Sequence, residues 1–223
     1  MKPAVLILFF VSAMLFGGRV SSASSAGNGP SPARALQQLL DGNARYVGDR
    51  PARPRQRPSA APQHPLAVIL SCSDSRVPPE VLFDQGVGDL FVVRAAGNTY
   101  DRLALQSIAY AVDQLGTKLI LVVGHDQCGA VTAAVKTYPK PGVGPMLENI
   151  YPAVRATHDR PGDKISQAID ENARLTARRL AAEPDLAPKV KSGELEIVPA
   201  RYNLATGAIH LISGSNPPAP APP

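Results

Sequence analysis

Two apolar, strand-like runs, 66–71 and 118–123, each stop at a short polar motif, and the chain's only two cysteines fall one in each. The motifs are Cys72-Ser73-Asp74-Ser75-Arg76 and His125-Asp126-Gln127-Cys128. Motifs this far apart act together only if the fold brings the ends of the two runs side by side. The rest of the chain alternates in the same way. Apolar runs at 66–71, 90–94, 118–123, 194–200 and 208–212 read as strands, and helical periodicity occupies 32–46, 78–83, 101–115, 127–136, 145–157 and 164–182. This alternation predicts an α/β fold with a mainly parallel central sheet flanked by helices. The last two strands are expected to join through a turn at Ala205-Thr206-Gly207. Both polar motifs then sit at the carboxyl ends of strands, where open α/β sheets build their sites.

Thiolate, imidazole and carboxylate are the side chains that bind zinc, and a catalytic zinc site keeps one of four positions open. Cys72, His125 and Cys128 supply three such groups. Residues two apart on extended backbone, such as Cys72 and Asp74, point the same way, and residues three apart, such as His125 and Cys128, share a face on a helical turn. Convergence on one ion is therefore sterically reasonable. The competing reading is a Cys72–Cys128 disulfide, which an exported chain permits. It gives no role to His125, Asp74 or Arg76.

Composition narrows the partners. The formal charge is +5, and the basic residues are spread out apart from Arg50–Arg57, which reads as a solvated linker. With no Trp and no basic run interleaved with aromatics, the chain carries no nucleic-acid footprint. Lys2, the apolar run 4–16 and the small-residue stretch 21–26 read as a signal peptide over 1–26, so export to the periplasm or beyond is expected. The apolar run is shorter than the roughly 20 residues of a spanning helix, so no stable membrane insertion is expected after cleavage. Residues 27–62 read as an N-terminal helical arm followed by a Pro/Arg-rich linker, 63–214 as the catalytic α/β domain, and 215–223 as a disordered Pro-rich tail.

The two motifs, the run Phe83-Asp84-Gln85 through Arg94-Ala95-Ala96-Gly97-Asn98, the segment Val123–Ala130 and the turn Tyr202–Gly207 together resemble the β-class carbonic anhydrases over most of the chain. The resemblance implies one Zn2+ per chain on Cys72, His125 and Cys128, and reversible hydration of carbon dioxide to bicarbonate by attack of zinc-bound hydroxide. Asp74 then orients that hydroxide and Arg76 holds Asp74 through a bidentate pair. Release of the pair would let Asp74 close the site as a fourth ligand. Gln85 matches the family's substrate-binding amide, and Gly129 the position where backbone N–H groups approach the substrate. Arg94 and Asn98 match positions that tie the sheet end to its loop. The resemblance also implies a homodimer or tetramer, with the N-terminal helix wrapping a partner. Two departures stand out. Ile69 replaces the Trp of the bicarbonate-regulated variety, and Ala200-Arg201-Tyr202-Asn203 replaces the usual Gly-x-Tyr-Asp. The second lies far from the ligands in sequence and is expected to affect packing alone. A carbon disulfide or carbonyl sulfide hydrolase on the same fold and a non-catalytic zinc protein are the alternatives. His158 and His210 are proton-shuttle candidates by residue type only.

Overall fold

The computed structural model of the chain describes residues 29–52 and 60–213. The signal peptide over 1–26, the heart of the linker at 53–59 and the tail over 215–223 lie outside the described residues. Five strands, β1 (Ala67–Ser71), β2 (Leu90–Arg94), β3 (Leu119–His125), β4 (Glu196–Tyr202) and β5 (Ile209–Leu211), form one sheet in the order β2-β1-β3-β4-β5. Every neighbouring pair is parallel except β4 and β5. Parallel pairing needs a long crossover, whereas the short 203–208 connection permits only a hairpin. Asn203 builds that turn by accepting hydrogen bonds at Oδ1 from the Ala205 and Thr206 N–H groups, both at 2.9 Å.

All of β1 and β3 is buried, as expected of central parallel strands covered on both faces. Alternation sorts their side chains between two cores. Val68, Leu70, Ile120 and Val122 meet Ile108, Ala173, Ala177 and Leu180 on one face; Ala67, Ile69, Leu119, Leu121 and Val123 meet Ala35, Leu39, Leu82 and Phe83 on the other. The helices supplying these contacts are α1 (Pro32–Val47), α2 (Pro79–Leu82), α3 (Arg102–Asp113) and α6 (Lys164–Ala182). Ser31, Asp101 and Asp163 cap α1, α3 and α6 by accepting from first-turn N–H groups. Between them α4 (Gly129–Thr137) and α5 (Pro145–Thr157) close a third cluster around Cys72 and Cys128. The short α7 (Ala187–Ser192) was not legible in the sequence, because one and a half turns leave no periodicity to read.

Helix α1 packs on its own chain. Gly42 is where it touches: an added Cβ would stand 1.8 Å from the Phe83 carbonyl oxygen. Beside it, buried Asn43 donates from Nδ2 to Leu82 O at 3.0 Å and Gly207 O at 2.8 Å, and its Oδ1 accepts from Ile209 N at 2.8 Å. One side chain thus binds α1 to both α2 and the β4–β5 hairpin. None of the described helices is long and apolar enough to cross a membrane.

Strands β3 and β4 run two residues beyond their apolar stretches, to His125 and Tyr202. Polar side chains end the sequence pattern, but the ladder continues and sets Arg201 opposite Gly124 and Tyr202 opposite His125. The Ala200–Asn203 motif therefore lies against the site, correcting the expectation drawn from its distance along the chain.

Candidate metal centre

Parallel pairing places Ser71 level with Val123, so β1 and β3 deliver both motifs to the same sheet end. Cys72 follows β1 directly, His125 is the last residue of β3, and Cys128 caps α4. The expected helical turn linking His125 to Cys128 is not what forms. Helix α4 starts only at Gly129, and Asp126–Gln127 make a tight turn in which Gln127 adopts φ 53°. The left-handed residue reverses the chain so that imidazole and thiol converge.

The ligand atoms of Cys72, His125 and Cys128 lie within 4.8 Å of one another, and all three residues are buried. The sulfurs are 3.9 Å apart and both cysteines are free, which excludes the disulfide reading for this conformation. Two sulfurs on one tetrahedral zinc, each at about 2.3 Å, stand about 3.8 Å apart. The imidazole fits the same purpose. His125 Nδ1 is 2.8 Å from the Asp126 carbonyl oxygen, so Nδ1 carries the proton and donates, leaving the Nε2 lone pair free. Nε2 is buried without a partner. An orphaned buried acceptor costs about 1–3 kcal/mol, and a cation between it and the two sulfurs satisfies it. The donor set fits zinc.

The two thiols are biased in opposite directions, and only Cys72 toward the charged form that a metal needs. The Cys72 thiol is pulled well below its ordinary value, chiefly by the Cys128 thiol, against opposition from burial, with further help from the Gly97 N–H that donates to its sulfur at 3.3 Å. Cys128 is pushed up by that same contact and by burial, and it binds a metal only by giving up its proton. Gly97 occupies the single 3₁₀ turn after β2 (Ala96–Asn98) with φ 71°, and an added Cβ would meet Ile150 Cδ1 at 2.7 Å. Asn172 Nδ2 pins the same residue by donating to its carbonyl at 2.7 Å.

Asp74 borders the cluster, its Oδ2 3.9 Å from His125 Nε2. Arg76 grips it in fork geometry, Nε to Oδ1 at 2.9 Å and Nη2 to Oδ2 at 2.8 Å, and the Arg76 backbone N–H adds a bond to Oδ1 at 3.0 Å. These bonds hold the carboxyl well below the usual carboxylate range, the side-chain pair contributing most. Arg94 fixes the backbone beneath, donating to Cys72 O at 3.0 Å and Asp74 O at 2.6 Å. The Asp74–Arg76 pair is open to water, with the arginine side chain 52% exposed.

Two further sequence candidates sit differently. Gly129 opens α4 as an exposed residue, with nothing within 4 Å of a Cβ added to it. Gln85 is buried against α1, near Gly42, and its amide donates to Phe83 O at 2.8 Å. No hydrogen bond of its side chain reaches the cluster, so within one chain it does not join the site. His158 and His210 are exposed, and neither hydrogen-bonds to the cluster.

Sequence reasoning missed Arg201. It bonds through Nε to Asp126 Oδ1 at 2.5 Å and through Nη1 to Ser166 and Asp170 of α6. Burial opposes its charge, and the two carboxylates outweigh burial. No local pattern announces such a bridge.

Residues 67–209, which span every ligand and the dyad, match the carbonic anhydrase family. The fold overlays on the β-carbonic anhydrase CcaA with a TM-score of 0.59 and 28% identity, covering 67% of this chain and 80% of that one. The chain belongs to the β-class carbonic anhydrases. A carbonic anhydrase of Mycolicibacterium smegmatis is 39% identical over 198 residues, 82% of this chain and 94% of the relative. Carbonic anhydrase 2 of Mycobacterium tuberculosis is 38% identical over 188 residues, 79% and 91% of the respective chains.

Proposed function

We propose that this carbonic anhydrase family member is a zinc enzyme that hydrates carbon dioxide reversibly to bicarbonate and a proton, with Cys72, His125 and Cys128 as its ligands. The observation carrying this is the unpartnered, buried His125 Nε2 facing two thiols at tetrahedral spacing. Zinc supplies the Lewis acidity that makes hydroxide available from water near neutral pH. The chain's residues do the rest. Three protein ligands leave one position for water or substrate. Asp74, ionised and gripped by Arg76, accepts a hydrogen bond and cannot donate one, so it orients a nucleophile beside His125. The exposed Asp74–Arg76 edge gives the proton a way to solvent. While Arg76 holds both carboxylate oxygens, Asp74 stays off the metal position. The N-terminal sequence supports export as the setting for this activity. A homodimer or tetramer is part of the proposal, and Gln85 joins a site only if an assembly brings it there.

Stopped-flow carbon dioxide hydration by the purified protein, with zinc per chain measured on the same sample, tests this. One zinc per chain and activity rising with pH through roughly neutral values are expected. Full zinc with no activity at any pH overturns the proposal in favour of a closed zinc protein or a sulfur-substrate hydrolase.

A further inference from the structure

His125 owes its orientation to one hydrogen bond, and the acceptor of that bond is held in place by a residue 75 positions further along the chain. Asp126 is pinned at each of its polar groups. Its carbonyl accepts from His125 Nδ1 at 2.8 Å, its N–H donates to Tyr202 O at 3.0 Å, and its carboxylate meets Arg201 Nε at 2.5 Å. The neighbouring Gln127, at φ 53°, is in a conformation that a non-glycine residue holds only when its surroundings impose it. Arg201 is the part of those surroundings that reaches furthest. From β4 it grips the turn through Nε, and through Nη1 it donates to Ser166 Oγ at 2.7 Å, Ser166 O at 3.2 Å and Asp170 Oδ1 at 3.2 Å on α6. A planar fork can serve two elements in this way, whereas a lysine ammonium cannot hold both in fixed relation.

We propose that Arg201 is a positioning residue for metal retention: by anchoring Asp126 it fixes the carbonyl that keeps His125 Nε2 aimed at the sulfurs of Cys72 and Cys128. The inference rests on the zinc reading above. Partners behind a ligating histidine typically change metal affinity by roughly 10–100-fold when removed.

The test is the rate at which the zinc-loaded full chain loses zinc to a chromogenic chelator. Arg201→Met and Asp126→Asn should each release zinc roughly 10–100 times faster than wild type, and the double variant no faster than the quicker single one. Arg201→Lys should fall between, and Asp170→Asn, which cuts only the α6 arm, should change release less than Arg201→Met. The visible absorption of the cobalt-substituted protein should shift in Arg201→Met, a change that loss of global stability alone does not produce. Release within about twofold of wild type in both single variants overturns the proposal, as do multiplicative effects in the double variant. If Arg201→Met does not fold, Asp126→Asn decides by its release rate. A wild type that binds no zinc defeats the zinc reading and this proposal together; a wild type with one zinc and unaltered variants defeats this proposal alone.

Discussion

At the scale of single residues, the site separates ligands from the groups that orient them. Cys72→Ser and His125→Ala each remove a donor from a buried set, so both zinc content and carbon dioxide hydration should be lost, as metal analysis and stopped-flow assay will show. Asp74→Asn keeps the shape and removes an acceptor; it should retain zinc and lose about 10²-fold or more in turnover. The pH dependence of the dyad follows from its sign. The folded Asp74 carboxyl is depressed, mainly by the Arg76 hydrogen bonds, so its stabilisation is fully present above the ordinary carboxylate value and is lost as pH falls through the folded value. The pair therefore stays intact through the neutral range and into acid below about pH 4. Arg76→Met should return Asp74 toward the ordinary range and move acid unfolding to higher pH, visible as a displaced acid limb in the pH dependence of unfolding. Ligand types and the dyad were legible in the sequence, because both motifs are short and local. Gln85 was legible as an amide near the right motif, but its commitment to Phe83 and α1 was not.

At the scale of elements, the helix α1 and the 3₁₀ turn after β2 make opposite predictions. Gly42 leaves no room for a Cβ beneath α1, so Gly42→Ala must lift the helix and strip Asn43 of its bonds to Leu82, Gly207 and Ile209. A loss of about 2–4 kcal/mol in denaturant unfolding is expected, with zinc retained because the ligands come from β1, β3 and the turn after it. Gly97→Ala combines a positive φ with a contact on Ile150 and shifts the N–H that meets Cys72. It should cost about 1–3 kcal/mol and also weaken zinc binding, separating the two elements in one pair of assays. Strand positions were readable to within two residues because continuous apolar runs are the mark of buried parallel strands. Their last two residues were not, since His125, Arg201 and Tyr202 are polar and only ladder pairing extends the strands to them.

At the scale of the whole molecule, the sheet and its two apolar cores do not depend on the metal, while the third cluster contains both cysteines. Chelation should leave the protein folded but lower its unfolding midpoint by several degrees, roughly 2–4 °C for each kcal/mol of lost binding energy, as calorimetry with and without chelator will show. The amino-acid sequence by itself determined the alternation of strands and helices and carried the candidate ligands Cys72, His125 and Cys128 and the Asp74-x-Arg76 motif. Each is encoded in a contiguous stretch whose periodicity or spacing acts locally. Tertiary structure alone decided that β4 lies beside β3, that Arg201 braces the His125–Cys128 turn from across the sheet, and that α1 packs over Gln85 at Gly42. Those are contacts between residues distant in the chain, set by sheet order and register, and no local pattern of residues carries them.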